Sequence, residues 1–139
     1  MDEPLSVYKT EVHPDWIDFN NHMTEGFYGV PFGVAAGKFL FNIGFRKYVE
    51  ETNCTIYAIQ NIIKYTKELK VNDQIRITTQ ITNVNKYHLN FFHHMYHGDE
   101  GFLAATEDTL FMHYSRNFSS FSAMDNTIYK KFKSLLLPI

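Results

Sequence analysis

Val12-His13-Pro14-Asp15-Trp16-Ile17-Asp18-Phe19-Asn20-Asn21-His22-Met23-Thr24-Glu25-Gly26-Phe27-Tyr28 is the stretch on which the reading of this chain turns. It places two carboxylates, an amide and an imidazole (Asp18, Asn20, His22 and Glu25) close together, between the aromatic side chains of Trp16 and Tyr28. Such a loop before an apolar helix can supply a nucleophile or base, a polarising amide and a proton carrier at one spot. Asn20 and Asn21 read as helix caps, which predicts backbone N–H groups pointing into the same volume, able to hold an oxyanion. The bland reading of the same residues is structural, because Asp and Asn clusters make turns and caps by bonding nearby backbone.

Working outward, residues 5–13 read as a strand ended by Pro14. A helix is predicted at about 30–43, with Pro31 in its first turn and Gly44 as its stop. Gly33 and Gly37 share a helical face and are expected to permit close approach to a sheet. Four strands follow, at 55–65, 74–83, 87–96 and 102–115. The second of these alternates Ile75, Ile77, Thr79 and Ile81 against Arg76, Thr78, Gln80 and Thr82, and Gly98-Asp99-Glu100-Gly101 reads as a hairpin turn. This order predicts an α+β fold, with one long helix wrapped by a five-stranded antiparallel sheet whose last four strands form a meander. Residues 116–124 look irregular, and a short amphipathic helix is expected from the N-cap Asp125, with Ile128, Phe132, Leu135 and Leu136 inward and Lys130, Lys131 and Lys133 solvated. The expected organisation is a domain over 1–116, with 117–139 an extension of the same domain.

The run Trp16-Ile17-Asp18-Phe19-Asn20-Asn21-His22-Met23-Thr24-Glu25 resembles the active-site loop of hotdog-fold thioesterases, and above all those of carnitine and betaine metabolism. Asn85-Lys86-Tyr87-His88-Leu89 and Ala104-Ala105-Thr106-Glu107, with His113 beyond, are similar to two further runs of that family, so the resemblance covers about residues 7–116. It implies a hotdog fold, an acyl-CoA substrate, a homodimer or tetramer with sites at subunit interfaces, and no cofactor. It assigns catalysis to Asp18 as nucleophile or general base, Asn20 as orienter of water or the thioester oxygen, and His22 as the residue that positions Asp18 or assists proton transfer. Glu25 is then a second carboxylate or a helix-dipole partner. Substrate contacts are expected from Trp16, Tyr28, Gln60 and Tyr65, and a quaternary ammonium acyl group could sit in an aromatic cage of Trp16, Tyr28, Tyr57 and Tyr65. Two departures stand out. Asn21 replaces the family Gly, and Asn is the next best residue at positive φ. Gln60 replaces a family Glu, which exchanges a charge for a neutral hydrogen-bonding group.

Composition sets the outer bounds. The 139 residues suit one domain, and 45% apolar content can build a core. Thirteen Phe and nine Tyr exceed what one small core needs, which points to an interface or an aromatic pocket. A net charge of −2 carries no nucleic-acid footprint. One cysteine, Cys54, read as a loop residue, precludes an internal disulfide and fits a reducing cytoplasm. No signal peptide is read, and the apolar runs are too short to span a bilayer.

Other clusters read more plainly. His93 and His94 must face opposite sides of a strand, which disfavours a shared metal, and no metal site is expected. Glu107 either lines a pocket or interface or forms a cross-strand polar pair. Lys64, Lys67, Lys70, Arg46 and Lys47 could meet coenzyme A phosphates, although scattered surface cations are commoner. Two rival functions remain: a hotdog hydratase or dehydratase acting on acyl-CoA, and a non-catalytic acyl-CoA-binding protein.

Overall fold

The computed structural model describes residues 6–137, so the expectations for residue 5 and for the two ends of the chain lie outside it. Its elements are β1 (Ser6–Glu11), α1 (Gly29–Asn42), α2 (Phe45–Thr52), β2 (Cys54–Tyr65), β3 (Gln74–Val84), β4 (His88–His97), β5 (Leu103–Ser115), β6 (Ser120–Phe121) and α3 (Asn126–Ser134). The antiparallel sheet runs β1-β3-β4-β5-β2, with β6 added to β5. It wraps α1, which is the hotdog arrangement.

Three features correct the expectation. The meander holds only for β3, β4 and β5, because β2 crosses to the far edge and pairs with β5. Cys54 opens β2 rather than lying in a loop, and β6 organises part of the segment read as irregular. Helix α2 was unforeseen: Gly44, at φ 80°, ends α1 and starts α2 in the same turn.

Helix α1 begins and ends close to where its apolar pattern predicts, with Pro31 in the first turn. Pro31, Phe32, Ala35, Ala36 and Phe39 are buried, spaced to line one face of a 3.6-residue helix. Phe32 joins Leu69, Ile75, Ile77 and Met95 in one core cluster, while Phe39 joins Ile81, Leu89, Phe91 and Phe132 in a second. Gly33 and Gly37 do not face the sheet. Both are exposed, and a Cβ on either would meet no atom within 4 Å. The close approach falls instead to Ala35 and Ala36, the small side chains on the buried face.

The C-terminal segment packs as predicted. The Asp125 carboxylate accepts the Ile128 N–H at 2.9 Å, and Ile128 and Phe132 enter the second cluster. Lys130, Lys131 and Lys133 are exposed. No helix among the described residues is long and apolar enough to cross a membrane.

Candidate active site

Residues 16–24 form a miniature hairpin rather than a helix start. The Thr24 N–H donates to Trp16 O (2.8 Å), Ile17 bridges Met23, and the Asp18 N–H donates to His22 O (2.9 Å). Asp18 builds the tip with its side chain: Oδ1 accepts the Asn20 N–H at 2.8 Å and the His22 N–H at 3.3 Å. Asn21 sits at φ 63°, so it adopts the backbone conformation for which the related loop uses Gly. Asn20 and Asn21 therefore make a turn and do not cap α1, which begins eight residues beyond Asn21. Phe19 at the tip is 94% exposed.

The hairpin is stitched to the β2–β3 connection. Met23 N–H donates to Leu69 O at 2.8 Å, and His22 bridges Lys70. This pairing brings Glu68 to His22, with Oε2 2.7 Å from Nδ1. Sequence reasoning passed over Glu68 because it sits among the lysines of 64–70, read as surface charge. The available signal was its position in the break between two strands, where functional loop residues concentrate.

An open cleft of about 710 Å³ lies beside the hairpin, lined by Asp18, Met23, Thr24, Glu25, Tyr28, Tyr65, Thr66, Lys67 and Glu68. Three carboxylates, two phenols and one ammonium thus share it. Tyr28 and Tyr65 meet edge to face with centroids 4.9 Å apart, and Tyr65 Oη donates to Glu25 O at 3.2 Å. Burial first, then the neighbouring Tyr65 and the Glu68 charge, push the Tyr28 phenol above its ordinary value, so it stays protonated and able to donate. Glu25 lies in a short 3-10 turn ahead of α1, not in the first turn of α1, which removes its reading as a partner in that turn. Among the described residues no side chain caps the α1 amides. They remain open at the end of a dipole that favours negative charge.

Of the residues singled out from sequence, Asp18, Glu25, Tyr28 and Tyr65 come together in this cleft. Asn20 is at the hairpin tip, and His22 contacts Glu68 without lining the cleft itself. Trp16 packs beside the core and tilts against His13. Gln60 is exposed on edge strand β2, opposite Leu110 just after a bulge, and Tyr57 pairs with Tyr114 (centroids 4.8 Å apart). A four-ring aromatic cage does not form within one chain; its Tyr28–Tyr65 half does. Of the candidate phosphate contacts, Lys67 alone lines the cleft, with Nζ also 4.3 Å from the Phe102 ring centroid.

The remaining clusters are structural. Buried His93 faces Glu107 across β4 and β5 at 3.3 Å, the cross-strand reading of Glu107, while His94 lies on the other face, where burial and then His93 lower its pKa. His113 Nδ1–H donates to Ser122 O (3.0 Å), and the Nε2 of the neutral ring accepts from the Tyr48 hydroxyl (2.7 Å), beneath α2. Among the described residues no three His, Cys, Asp or Glu side chains gather around a common metal position.

Comparison with known proteins places this geometry in a family. Residues 12–132 match the profile of the thioesterase-like superfamily. The betainyl-CoA thioesterase of Pseudomonas aeruginosa is 23% identical over 116 residues, covering 83% of this chain and 73% of that protein. The L-carnitine dehydrogenase/betainyl-CoA thioesterase of Ruegeria pomeroyi is 29% identical over 115 residues, covering 83% of this chain. This chain spans only 23% of the length of that two-activity protein. Among solved structures, the probable thioesterase YbaW of Escherichia coli superposes with a TM-score of 0.84 at 16% identity, covering 94% of this chain and 98% of its own. A Staphylococcus aureus protein solved in complex with CoA superposes at 0.83 with 22% identity, covering 96% and 86%. The chain belongs to the thioesterase-like superfamily and is a thioester hydrolase of hotdog fold.

Proposed function

We propose that this protein hydrolyses a small acyl-CoA to the free acid and coenzyme A, with Asp18 as nucleophile or general base. The observation that carries the reading is the Asp18 carboxylate lining a cleft at the uncapped start of α1, with Glu25, Tyr28 and Tyr65 around it. A thioester is already activated, so the site needs a placed oxygen nucleophile, donors for the carbonyl oxygen and a thiolate that leaves. Asp18 attacks the acyl carbon or takes a proton from water. Asn20, on the turn that Asp18 closes, orients water or the thioester oxygen. The α1 amides and the protonated Tyr28 donate to the developing oxyanion. His22 assists the proton's movement, and Glu25 is a second carboxylate in the site.

The acyl group is of betainyl or carnitinyl type. A cleft with three carboxylates and an edge-to-face tyrosine pair favours a trimethylammonium group over an anionic tail. The working unit is a homodimer or a tetramer of dimers. Strand β2 leaves one edge of the sheet unpaired and exposes Tyr57, Ile59 and Ile62, so a second copy can extend the sheet there and carry Gln60 towards a site. Residues 1–116 carry the catalytic unit and 117–139 belong to the same domain, in a reducing, cytoplasmic setting. A panel of acyl-CoAs, followed by release of free thiol, tests the proposal. Turnover highest on cationic short acyl groups supports it; hydration without thiol, or binding without either, refutes it.

A further inference from the structure

Glu68 lines the cleft beside Asp18, although the sequence motif does not include it. Three observations set it apart from a surface acid. Its Oε2 lies 2.7 Å from His22 Nδ1, within ion-pair distance. Its backbone neighbours are fixed, since Leu69 O accepts the Met23 N–H and Lys70 bridges His22, so the main chain sets where the carboxylate stands. Its charge reaches Tyr28, at the mouth of α1. His22 does not itself line the cleft, so the imidazole reaches it through the Glu68 carboxylate.

Asp18 is held differently. Its Oδ1 is engaged by two backbone N–H groups of its own turn, while no hydrogen bond to Oδ2 occurs among the described residues. A carboxylate fixed in this way through Oδ1 leaves Oδ2 free to form a bond. A carboxylate backed by an imidazole is better placed to take a proton and pass it on.

From this geometry, and resting on the thioesterase reading above, we propose that Glu68 is a further catalytic carboxylate, the base for the attacking water, and that His22 is its positioning residue. The two carboxylates then divide the reaction. Asp18 Oδ2 bonds to the acyl carbon, the carbonyl electron pair moves onto oxygen and returns, the C–S bond breaks, and sulfur leaves with its pair as coenzyme A thiolate. The product is an acyl anhydride on Asp18. Water then attacks that anhydride: its oxygen bonds to the acyl carbon, its O–H proton passes to Glu68, and the C–O bond to Asp18 breaks with the pair returning to Asp18. Glu68 passes its proton through His22 to solvent, and the coenzyme A thiolate released in the first step takes up one proton from solvent. The sum is thioester plus water giving acid plus thiol.

The test is a rapid-mix thiol assay, with intact-protein mass measured on the quenched reaction, using the acyl-CoA that the wild-type protein turns over best. Glu68→Gln should release about one thiol per site in a burst, then turn over roughly a hundredfold more slowly than wild type, the scale of a lost base. Its mass should rise by one acyl group, removable by hydroxylamine. Glu68→Asp should recover part of the slow phase. His22→Asn should slow the same phase less, without abolishing the burst, and Asp18→Asn should show neither burst nor added mass. Glu68 is 62% exposed at its side chain, so the Gln variant should fold, which circular dichroism checks. A Glu68→Gln protein with wild-type turnover, or a folded one that loses burst and turnover together, overturns the assignment of Glu68 alone. Failure of the wild type on every acyl-CoA overturns both this proposal and the thioesterase reading.

Discussion

At the scale of single residues, Asp18 closes its turn through Oδ1 while no hydrogen bond to Oδ2 occurs among the described residues, and this separates the structural reading of its motif from the proposed catalytic one. Asp18→Asn retains an oxygen that can accept from Asn20 and His22, so the turn should survive and melting should shift little. It removes the charge and basicity of the carboxylate, so on the proposed role of Asp18 thiol release should fall by roughly a hundredfold or more. Glu25→Gln is the paired control and should cost much less; a larger loss at Glu25 moves the essential carboxylate there. His113 offers a test of stability. Burial holds its imidazole below the ordinary value of 6.5, against the smaller opposing effects of the Ser122 carbonyl and Asp125. The fold therefore accepts the neutral form, whose stabilisation is complete above about pH 6.5 and is lost as pH falls through the lowered folded value. His113→Gln should lower stability near neutrality by about 1–3 kcal/mol, by stranding Tyr48, whose phenol is pushed up to about 12 mainly by burial. It should also flatten the decline of Tm on acidification below pH 6.5. An unchanged slope would show that another group governs that decline.

At the scale of elements, α1 joins sequence to site, and its two glycines test how it packs. Gly33 and Gly37 lie on the exposed face with open space beyond, so Gly37→Ala should raise stability by about 0.5–1 kcal/mol through higher helix propensity. Thermal denaturation that shows a loss would mean that this face, with Val30, Val34 and Phe41, packs against a second subunit. Much of the element plan was legible. Pro31 and Gly44 bracketed α1, the alternation of β3 gave its faces, and Asp125 marked the start of α3. What sequence could not supply was partner choice. The apolar, β-branched run of β2 marks a strand but does not say that it pairs with β5 at the far edge from β1. Helix α2 was hidden because Gly44 and Asn53, both left-handed, close it within a single short segment that reads as a loop. The site shows the same division. The motif marked Asp18, Glu25 and Tyr28 because they are local in sequence, and missed Glu68 because the pairing of 22–23 with 69–70 is long-range.

At the scale of the whole molecule, β2 is an edge strand with no partner on its outer side among the described residues. Tyr57, Ile59 and Ile62 are each more than 40% exposed on β2, an apolar edge that soluble proteins ordinarily cover or charge. Sedimentation should therefore show a dimer or a larger assembly at micromolar concentration. Ile62→Lys should shift the protein towards monomer and lower turnover with it, because the charge sits where a second sheet edge would pack. A fully active monomer would remove the interface from the account. The most direct test of the central claim is simpler. Wild-type protein and Asp18→Asn are incubated side by side with betainyl-CoA and a series of neutral and anionic short acyl-CoAs, and free coenzyme A thiol is followed over time. The account predicts rapid thiol release by the wild type, greatest with the cationic acyl group, and near-background release by the folded Asp18→Asn protein. Equal thiol release by the two proteins, or none from any acyl-CoA with the wild type, would contradict it.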